Sequence, residues 1–333
     1  MTRGEAGSPF LGVDLRRLTV NIGRWQRAAD AAGAATRPHV KGHRSAEIAR
    51  RQVGAGAVGI AAYFAREAHR YVDAGISDVV IAYPWRDPWR WPRLAELARR
   101  AGVSVHVDDA TAVDGLGAAA VAAGVTLGAR IAVHNGLIGV APTDVGELAK
   151  RIATTPGLRL DGVTSYVALN TAQEAADRFD GGRRQAQLLV RLAAQLRADG
   201  LDCPVVALGG TPTAAGALSV PGVTEVCSGA HALYDGGLAD LGVCSPDDVA
   251  VTITARRTGT GTDADALLAG SAQPWCPPEQ VATTIAENGA TVTLRPAHVC
   301  PVVRQVDHLR VHSGGTDDAR WPVIFAPDRE TVP

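Results

Sequence analysis

Two of the 333 residues are lysine, Lys41 and Lys150, against thirty-one arginines. Wherever a positive charge alone suffices this chain uses arginine, so a retained lysine invites a chemical reading. A guanidinium cannot form an imine, whereas a lysine amine held in a pocket is the usual handle for a carbonyl or pyridoxal cofactor. Lys150 closes a helical stretch and suits a surface role. Lys41 instead ends Arg37-Pro38-His39-Val40-Lys41, which reads as a short strand running into a loop. His39 shares the strand face of Lys41. It packs under a cofactor ring, tunes the amine, or is a hydrogen-bonded core residue.

Two further clusters carry chemistry. In Leu208-Gly209-Gly210-Thr211-Pro212-Thr213 the glycines permit close backbone approach, Thr211 can cap, and Pro212 suits the first helical position. Such a turn can cup a phosphate, with Ser228-Gly229-Ala230 as the opposite wall. Near the C-terminus His298 and Cys300 stand at i and i+2, and an extended segment points both to one side. Imidazole with thiolate suits zinc, and two protein ligands leave positions for water and substrate. Read alone, the first cluster also fits an ordinary turn and the second a half-buried strand.

These groups need a scaffold. From Arg37 to about Cys244 one rhythm repeats, an apolar β-rich run, a loop and an alanine-rich amphipathic segment. The β runs are Arg37 to Lys41, Ala57 to Ala61, Asp78 to Tyr83, Ser104 to Asp108, Leu127 to Val133, Leu160 to Tyr166, Pro204 to Leu208 and Thr224 to Ser228. Eight alternations favour an α/β fold of the closed (β/α)8 TIM-like type, with Leu15 to Ala32 as an extra helix before it. In such barrels the C-terminal strand ends carry the reactive groups, where Lys41, Gly209 to Thr211 and Ser228 to Ala230 all stand. After about Asp248 the pattern turns to strands alone: Val249 to Arg256, Ala290 to Leu294, Val302 to Val311 and Trp321 to Phe325. The expected division is a barrel over residues 10–247 and a smaller C-terminal all-β domain over 248–333.

Composition narrows the function. The net charge is −1 and the basic residues are interleaved with acidic and apolar ones, which gives nucleic acid and anionic membrane surfaces little to bind. No basic-then-apolar run opens the chain and no apolar stretch is long enough to span a bilayer, so a cytoplasmic protein is expected. The five cysteines are scattered and odd in number, unlike a disulfide framework.

Taken together, the run from Arg37 to Arg51, Gly56-Ala-Val-Gly59, Ile81-Ala-Tyr-Pro84, Gly209-Gly-Thr211 and Pro296-Ala-His-Val-Cys-Pro301 resemble the D-threonine aldolase and D-serine dehydratase family over nearly the whole chain. The resemblance implies a fold-type III pyridoxal phosphate enzyme with an alanine-racemase-like barrel, a small β domain and a homodimer. Carried over by position, Lys41 is the cofactor-attaching lysine, Gly209, Gly210 and Thr211 hold the phosphate, and His298 and Cys300 hold a divalent metal, for which zinc is expected. His39, Tyr166, Ser228, Gly229 and Ala230 complete the expected cofactor site. The pocket departs from the family at several points. Gly42 follows the lysine where threonine is usual, Leu137 replaces an arginine, and Ser165 to Asn170 lack the histidines found after the sixth strand. His231 stands at an aromatic position and Arg304 at an asparagine.

The expected activity is a metal-assisted lyase acting on the amino-acid class of β-hydroxy-D-amino acids, with dehydration and release of ammonia slightly favoured over retro-aldol cleavage. Lys41 would remove the α-proton, and Tyr166, His231 or His134 would supply any further base. Another class of function, an amino-acid racemase or a non-catalytic pyridoxal phosphate-binding protein, would have no need of the metal. Arg304, at an even offset from Cys300, is expected to face the site if the strand is unbroken, and either reads a second substrate carboxylate or pairs with a neighbour such as Asp307.

Overall fold

A computed structural model describes residues 8–324 except 260, 277–279 and 315, without the side chains of 316–318. Phe325, the expected end of the last strand, lies outside the described residues. The chain opens on β1 (Phe10–Asp14) and α1 (Leu15–Ala31), whose first turn is capped by the Asp14 carboxylate accepting from the Arg17 N–H. Eight parallel strands follow: β2 (Ala35–Thr36), β3 (Ile60–Ala62), β4 (Asp78–Ile81), β5 (Gly102–Val107), β6 (Leu127–Ala132), β7 (Leu158–Tyr166), β8 (Val205–Gly209) and β9 (Glu225–Cys227). They pair in the order β2-β9-β8-β7-β6-β5-β4-β3, and a bridge between His39 and Ala61 joins the two ends of the sheet. The Ala61 N–H donates to the Pro38 carbonyl at 2.8 Å and the Val58 N–H to Thr36 at 3.0 Å. The fold is thus the expected (β/α)8 barrel, with its apolar core between the strands and an outer ring of alanine-rich helices.

The start of the barrel differs from expectation in one instructive place. The Arg37-to-Lys41 run is not regular strand throughout: Pro38 has no N–H for the ladder, yet the Arg37 and His39 amides still donate to Val226 and Ser228 of the β9 edge. Val40–Gly42 then closes into a single 3-10 turn, which lifts Lys41 just past the strand end onto the barrel rim. Between β7 and β8 the alanine-rich segment forms two helices, Ala172–Ala176 and Arg178–Ala198, hinged at Asp177. The helix expected to begin at Pro212 begins at Ala214 and runs only to Leu218.

The second layer is an antiparallel sheet of β10 (Val251–Thr258), β11 (Gly261–Thr262), β12 (Ala282–Asn288), β13 (Thr291–Pro296), β14 (His308–Ser313) and β15 (Thr316–Pro322), joined by β1. β1 sits at the centre of that sheet, antiparallel to β10 and parallel to β14, so the β unit is discontinuous in sequence rather than confined to 248–333. Nor is it purely β. The segment expected to be a strand from Val302 begins as a short helix, Val299–Val303, with His298 at its N-cap and Arg304 at its C-cap. Val299, Val302 and Val303 are buried while Arg304 is exposed, so a helical spacing of apolar residues decides the local structure.

Candidate active site

The C-terminal rim of the barrel and the facing edge of the β domain enclose a pocket of about 650 Å³. Lys41, His39, Tyr166, Gly209, Gly210, Thr211, Gly229, Ala230, His298 and Cys300 all line it. Residues drawn from five stretches of sequence and two domains therefore converge. Lys41 is exposed to the pocket, with its ammonium 5.7 Å from the centre of the Tyr166 ring at the end of β7. The His39 Nδ1 accepts from the Lys41 backbone N–H at 3.3 Å, which orients the ring beside the amine. Burial, aided by the positive charge of Lys41, pushes the His39 imidazole well below its ordinary value, so it stays neutral.

Two loops build the expected phosphate cup. The Gly210 N–H donates to the Cys227 carbonyl at 3.0 Å, and the Thr211 hydroxyl accepts from the Ala230 N–H at 3.2 Å. Gly210 adopts φ +113°, a conformation glycine tolerates best, and a Cβ there would lie 2.7 Å from the Thr213 hydroxyl. Gly42 has an equally physical reason. A Cβ at that position would approach the Gly229 carbonyl oxygen to 2.4 Å, so the threonine usual after the lysine cannot fit this backbone contact. Ser228 lies behind the wall rather than on it, nearly fully buried, with a hydroxyl that has no partner among the described residues.

The His298 and Cys300 pair comes from a turn entering a helix, not from a strand. The two side chains nonetheless converge, since both line the same pocket. Asp235, fully buried and contributed by the end of the barrel, accepts from His298 Nδ1 at 3.2 Å and from the Val299 N–H at 3.0 Å. The Ser271 hydroxyl fixes the same residue by bonding both its N–H and its carbonyl. Burial opposes charge on both partners, but their mutual attraction, helped at the imidazole by Asp235 and at the thiol by Lys41, outweighs it. His298 is held up at about 10 and Cys300 below its ordinary value, which favours the thiolate. A carboxylate behind an imidazole is the arrangement that orients a metal-ligating histidine.

Besides Ser228, three expected residues are not brought to the pocket. His231 is 1% exposed and stacks on Trp25 with ring centres 4.6 Å apart, which removes it from reach of a substrate. Arg304 lies beyond the helix Val299–Val303 on the exposed side of its C-cap, so the premise of an unbroken strand fails and it does not line the pocket. His134 is also absent from the lining; its Nδ1 accepts from Gly136 in its own loop.

Sequence reasoning passed over Asp235, His106, Asn135, the tyrosines Tyr63 and Tyr83, and Trp275, all of which line the pocket. Asp235 carried a readable signal, an acid directly before Gly236-Gly237, where its carboxylate caps the next helix through the Leu238 N–H. Tyr63 and Tyr83 pack at 4.8 Å between ring centres, with Trp85 against both. His106 sits on the floor with its Nε2 buried and unpartnered among the described residues. Beneath it Glu225 is held between Arg37 and Arg130, and the Cys227 thiol donates to Glu225 at 3.3 Å.

Comparisons with known proteins agree with this geometry. Residues 13–234 match the family model for the alanine racemase N-terminal domain. The chain is 32% identical over 262 residues to D-threo-3-hydroxyaspartate dehydratase of Delftia sp. (strain HT23), covering 77% of this chain and 69% of that protein. It is 29% identical over 350 residues to D-threonine aldolase of Arthrobacter sp., covering 95% and 92%. The crystal structure of D-threonine aldolase from Filomicrobium marinum superposes with a TM-score of 0.83 at 26% identity, over 96% of this chain and 95% of that one. The chain belongs to the alanine-racemase-like family of pyridoxal phosphate-dependent enzymes that includes D-threonine aldolase and D-threo-3-hydroxyaspartate dehydratase.

Proposed function

We propose that the protein is a pyridoxal phosphate- and metal-dependent lyase that dehydrates a β-hydroxy-D-amino acid. The observation that carries the reading is the convergence of Lys41, from the barrel, and the His298–Cys300 pair, from the β domain, on one pocket. The residues present fit both groups. Lys41 would attach the cofactor, the backbone of Gly209 to Thr211 and Gly229 would cradle its phosphate, and the His106 Nε2 on the lining is a buried polar atom with no partner among the described residues. His298 Nε2 and the Cys300 thiolate suit zinc, with positions left over for water and substrate. When bound, pyridoxal phosphate supplies an electron sink for charge developing at the α-carbon, and the metal polarises a β-hydroxyl.

The chain's own residues supply the rest. The Lys41 amine is placed to take the α-proton, and the neutral His39 beside it adds no competing charge. Asp235 holds the metal ligand in one orientation. Tyr63, Tyr83, Leu137, Ile138 and Trp275 wall the remaining space with largely apolar surface. Retro-aldol cleavage needs a base at the β-hydroxyl. Two of the three bases considered for that role, His134 and His231, are outside the pocket, and Asp235 is already engaged by three donors. Tyr166 alone of the three remains, so cleavage to an aldehyde and glycine is the second reading, supported by the full-length likeness to D-threonine aldolase.

Among the described residues Lys41 is the only lysine or arginine lining the pocket. A substrate with a neutral β-substituent suits this surface better than one with a second carboxylate, which would lie unpaired against aromatic rings. A homodimer and a cytoplasmic setting belong to the same proposal; no helix among the described residues is long and apolar enough to cross a membrane. The test is chelation of the holoenzyme: lyase activity should vanish while the visible band of the attached cofactor persists, and zinc should restore it. Full activity after the metal is stripped would refute the metal-dependent part of the reading.

A further inference from the structure

The turn that presents Lys41 and the wall of the phosphate cup touch backbone to backbone. A Cβ at Gly42 would lie 2.4 Å from the Gly229 carbonyl oxygen, and one at Gly229 would lie 2.7 Å from the His39 carbonyl oxygen. No side chain of these two glycines interlocks the segments. Besides the bond from the His39 N–H to the Ser228 carbonyl, the two segments are joined from behind by α2 (Ala46–Gly54), whose Gln52 reaches both His43 and His231.

Behind the contact runs a buried chain of hydrogen bonds with only one consistent direction. The Ser45 N–H donates to His43 Nδ1 at 3.1 Å, so that nitrogen is an acceptor and the ring proton resides on Nε2. His43 Nε2 lies 3.1 Å from the Gln52 side-chain oxygen and must donate to it. The orientation of the amide is thereby set, and its nitrogen, 3.2 Å from His231 Nε2, must be the donor there. Trp25 stacks on the far face of His231 with an interplanar angle of 12°. His43, Gln52 and His231 are each no more than 1% exposed. Burial pushes both imidazoles down to about 3, so each is neutral and keeps one donor and one acceptor nitrogen.

We propose that Gln52 is a positioning residue for the cofactor site: its amide ties His43, in the Lys41 turn, to His231, in the loop of the phosphate wall. It thereby holds the amine in register with the cup. The inference rests on the functional reading above, in which Lys41 and that cup hold pyridoxal phosphate. An amide is the group the bridge requires, because one end must accept and the other must donate. Methionine at this position offers neither, and an ionised glutamate cannot donate.

The experiment is spectroscopic titration of pyridoxal phosphate into cofactor-stripped full-length protein, following the visible band of the Lys41-attached form, with Tm measured alongside. Wild type is compared with Gln52→Met, His231→Phe and the double variant; phenylalanine keeps a ring to stack on Trp25. Each single variant should weaken cofactor binding about tenfold, roughly 1.4 kcal/mol. The double variant should bind no more weakly than the worse single one, since both remove the same bond. Lower Tm with unchanged cofactor affinity, or losses that simply add, would mean ordinary packing and overturn the bridge. If Gln52→Met does not fold, His231→Phe decides alone, and wild-type affinity there overturns it. A wild-type chain that takes up no cofactor at Lys41 overturns the functional reading itself, and the bridge as a cofactor device with it.

Discussion

Asp235 and His298 come from different domains, and the Asp235 carboxylate accepts from His298 Nδ1 at 3.2 Å while being only 1% exposed itself. The carboxylate therefore sets which imidazole nitrogen faces the pocket, and it couples the proposed metal pair to the barrel. Asp235→Ala should lower zinc affinity about 10- to 100-fold by chelator competition, on the scale of lost outer-shell support. Unchanged affinity would show that His298 needs no such partner.

Lys41 and Lys150 offer a clean contrast, because they are the only lysines in the chain. Borohydride reduction of the holoenzyme followed by peptide mapping should place the pyridoxyl group on Lys41. Lys41→Ala and Lys41→Arg should both abolish covalent attachment, since neither side chain has a free amine to offer. A reduced adduct on Lys150 would overturn the assignment.

Acid should destabilise the fold in two stages. The buried imidazoles of His43, His106 and His231 have folded values lowered to about 3, mainly by burial, so the unfolded chain binds protons first and stability begins to fall below about 6.5. Burial alone would raise the Glu225 carboxyl, but Arg37 and Arg130 outweigh it and hold it at about 2. Its contribution is complete above 4.5 and is lost between there and about 2. Glu225→Gln should cost about 3 to 5 kcal/mol at neutral pH, because it leaves the buried Arg130 guanidinium without its carboxylate and Arg37 with the half-exposed Asp78 alone. The acid loss between about 4.5 and 2 should then shrink in urea titrations repeated across that pH range.

Arg304 tests the difference between sequence spacing and structure. From its exposed position past the helix Val299–Val303, Arg304→Asn should leave kcat/KM within about twofold for neutral and acidic β-hydroxy-D-amino acids alike, well short of the ~10-fold loss of a charge-assisted contact. A selective loss for 3-hydroxyaspartate would restore the strand-based expectation.

How much the sequence revealed follows the range of the interactions involved. Lys41, the glycine turn and the His298–Cys300 pair were legible because each is a local pattern with a chemical reason. The barrel was legible because its period repeats eight times. The place of β1 was not, since five residues pairing with strands some 240 and 300 positions away leave no local signature. The helix at Val299 was misread because Val-Cys-Pro-Val-Val is β-prone in composition, while its burial against the β domain follows helical spacing. His231 drew a catalytic reading from its type and position alone; only the neighbouring Trp25 and Gln52 show which way it faces.

The central claim is that one pocket joins a lysine-bound cofactor to a metal pair in order to remove a β-hydroxyl. The most direct measurement is product analysis of the zinc-loaded holoenzyme with D- and L-forms of a neutral β-hydroxy amino acid. The expected products are a 2-oxo acid and ammonia in equal amounts, from the D-form alone, abolished by chelator. Aldehyde with glycine would instead establish the aldolase reading, and an epimer formed equally well without metal would contradict the account.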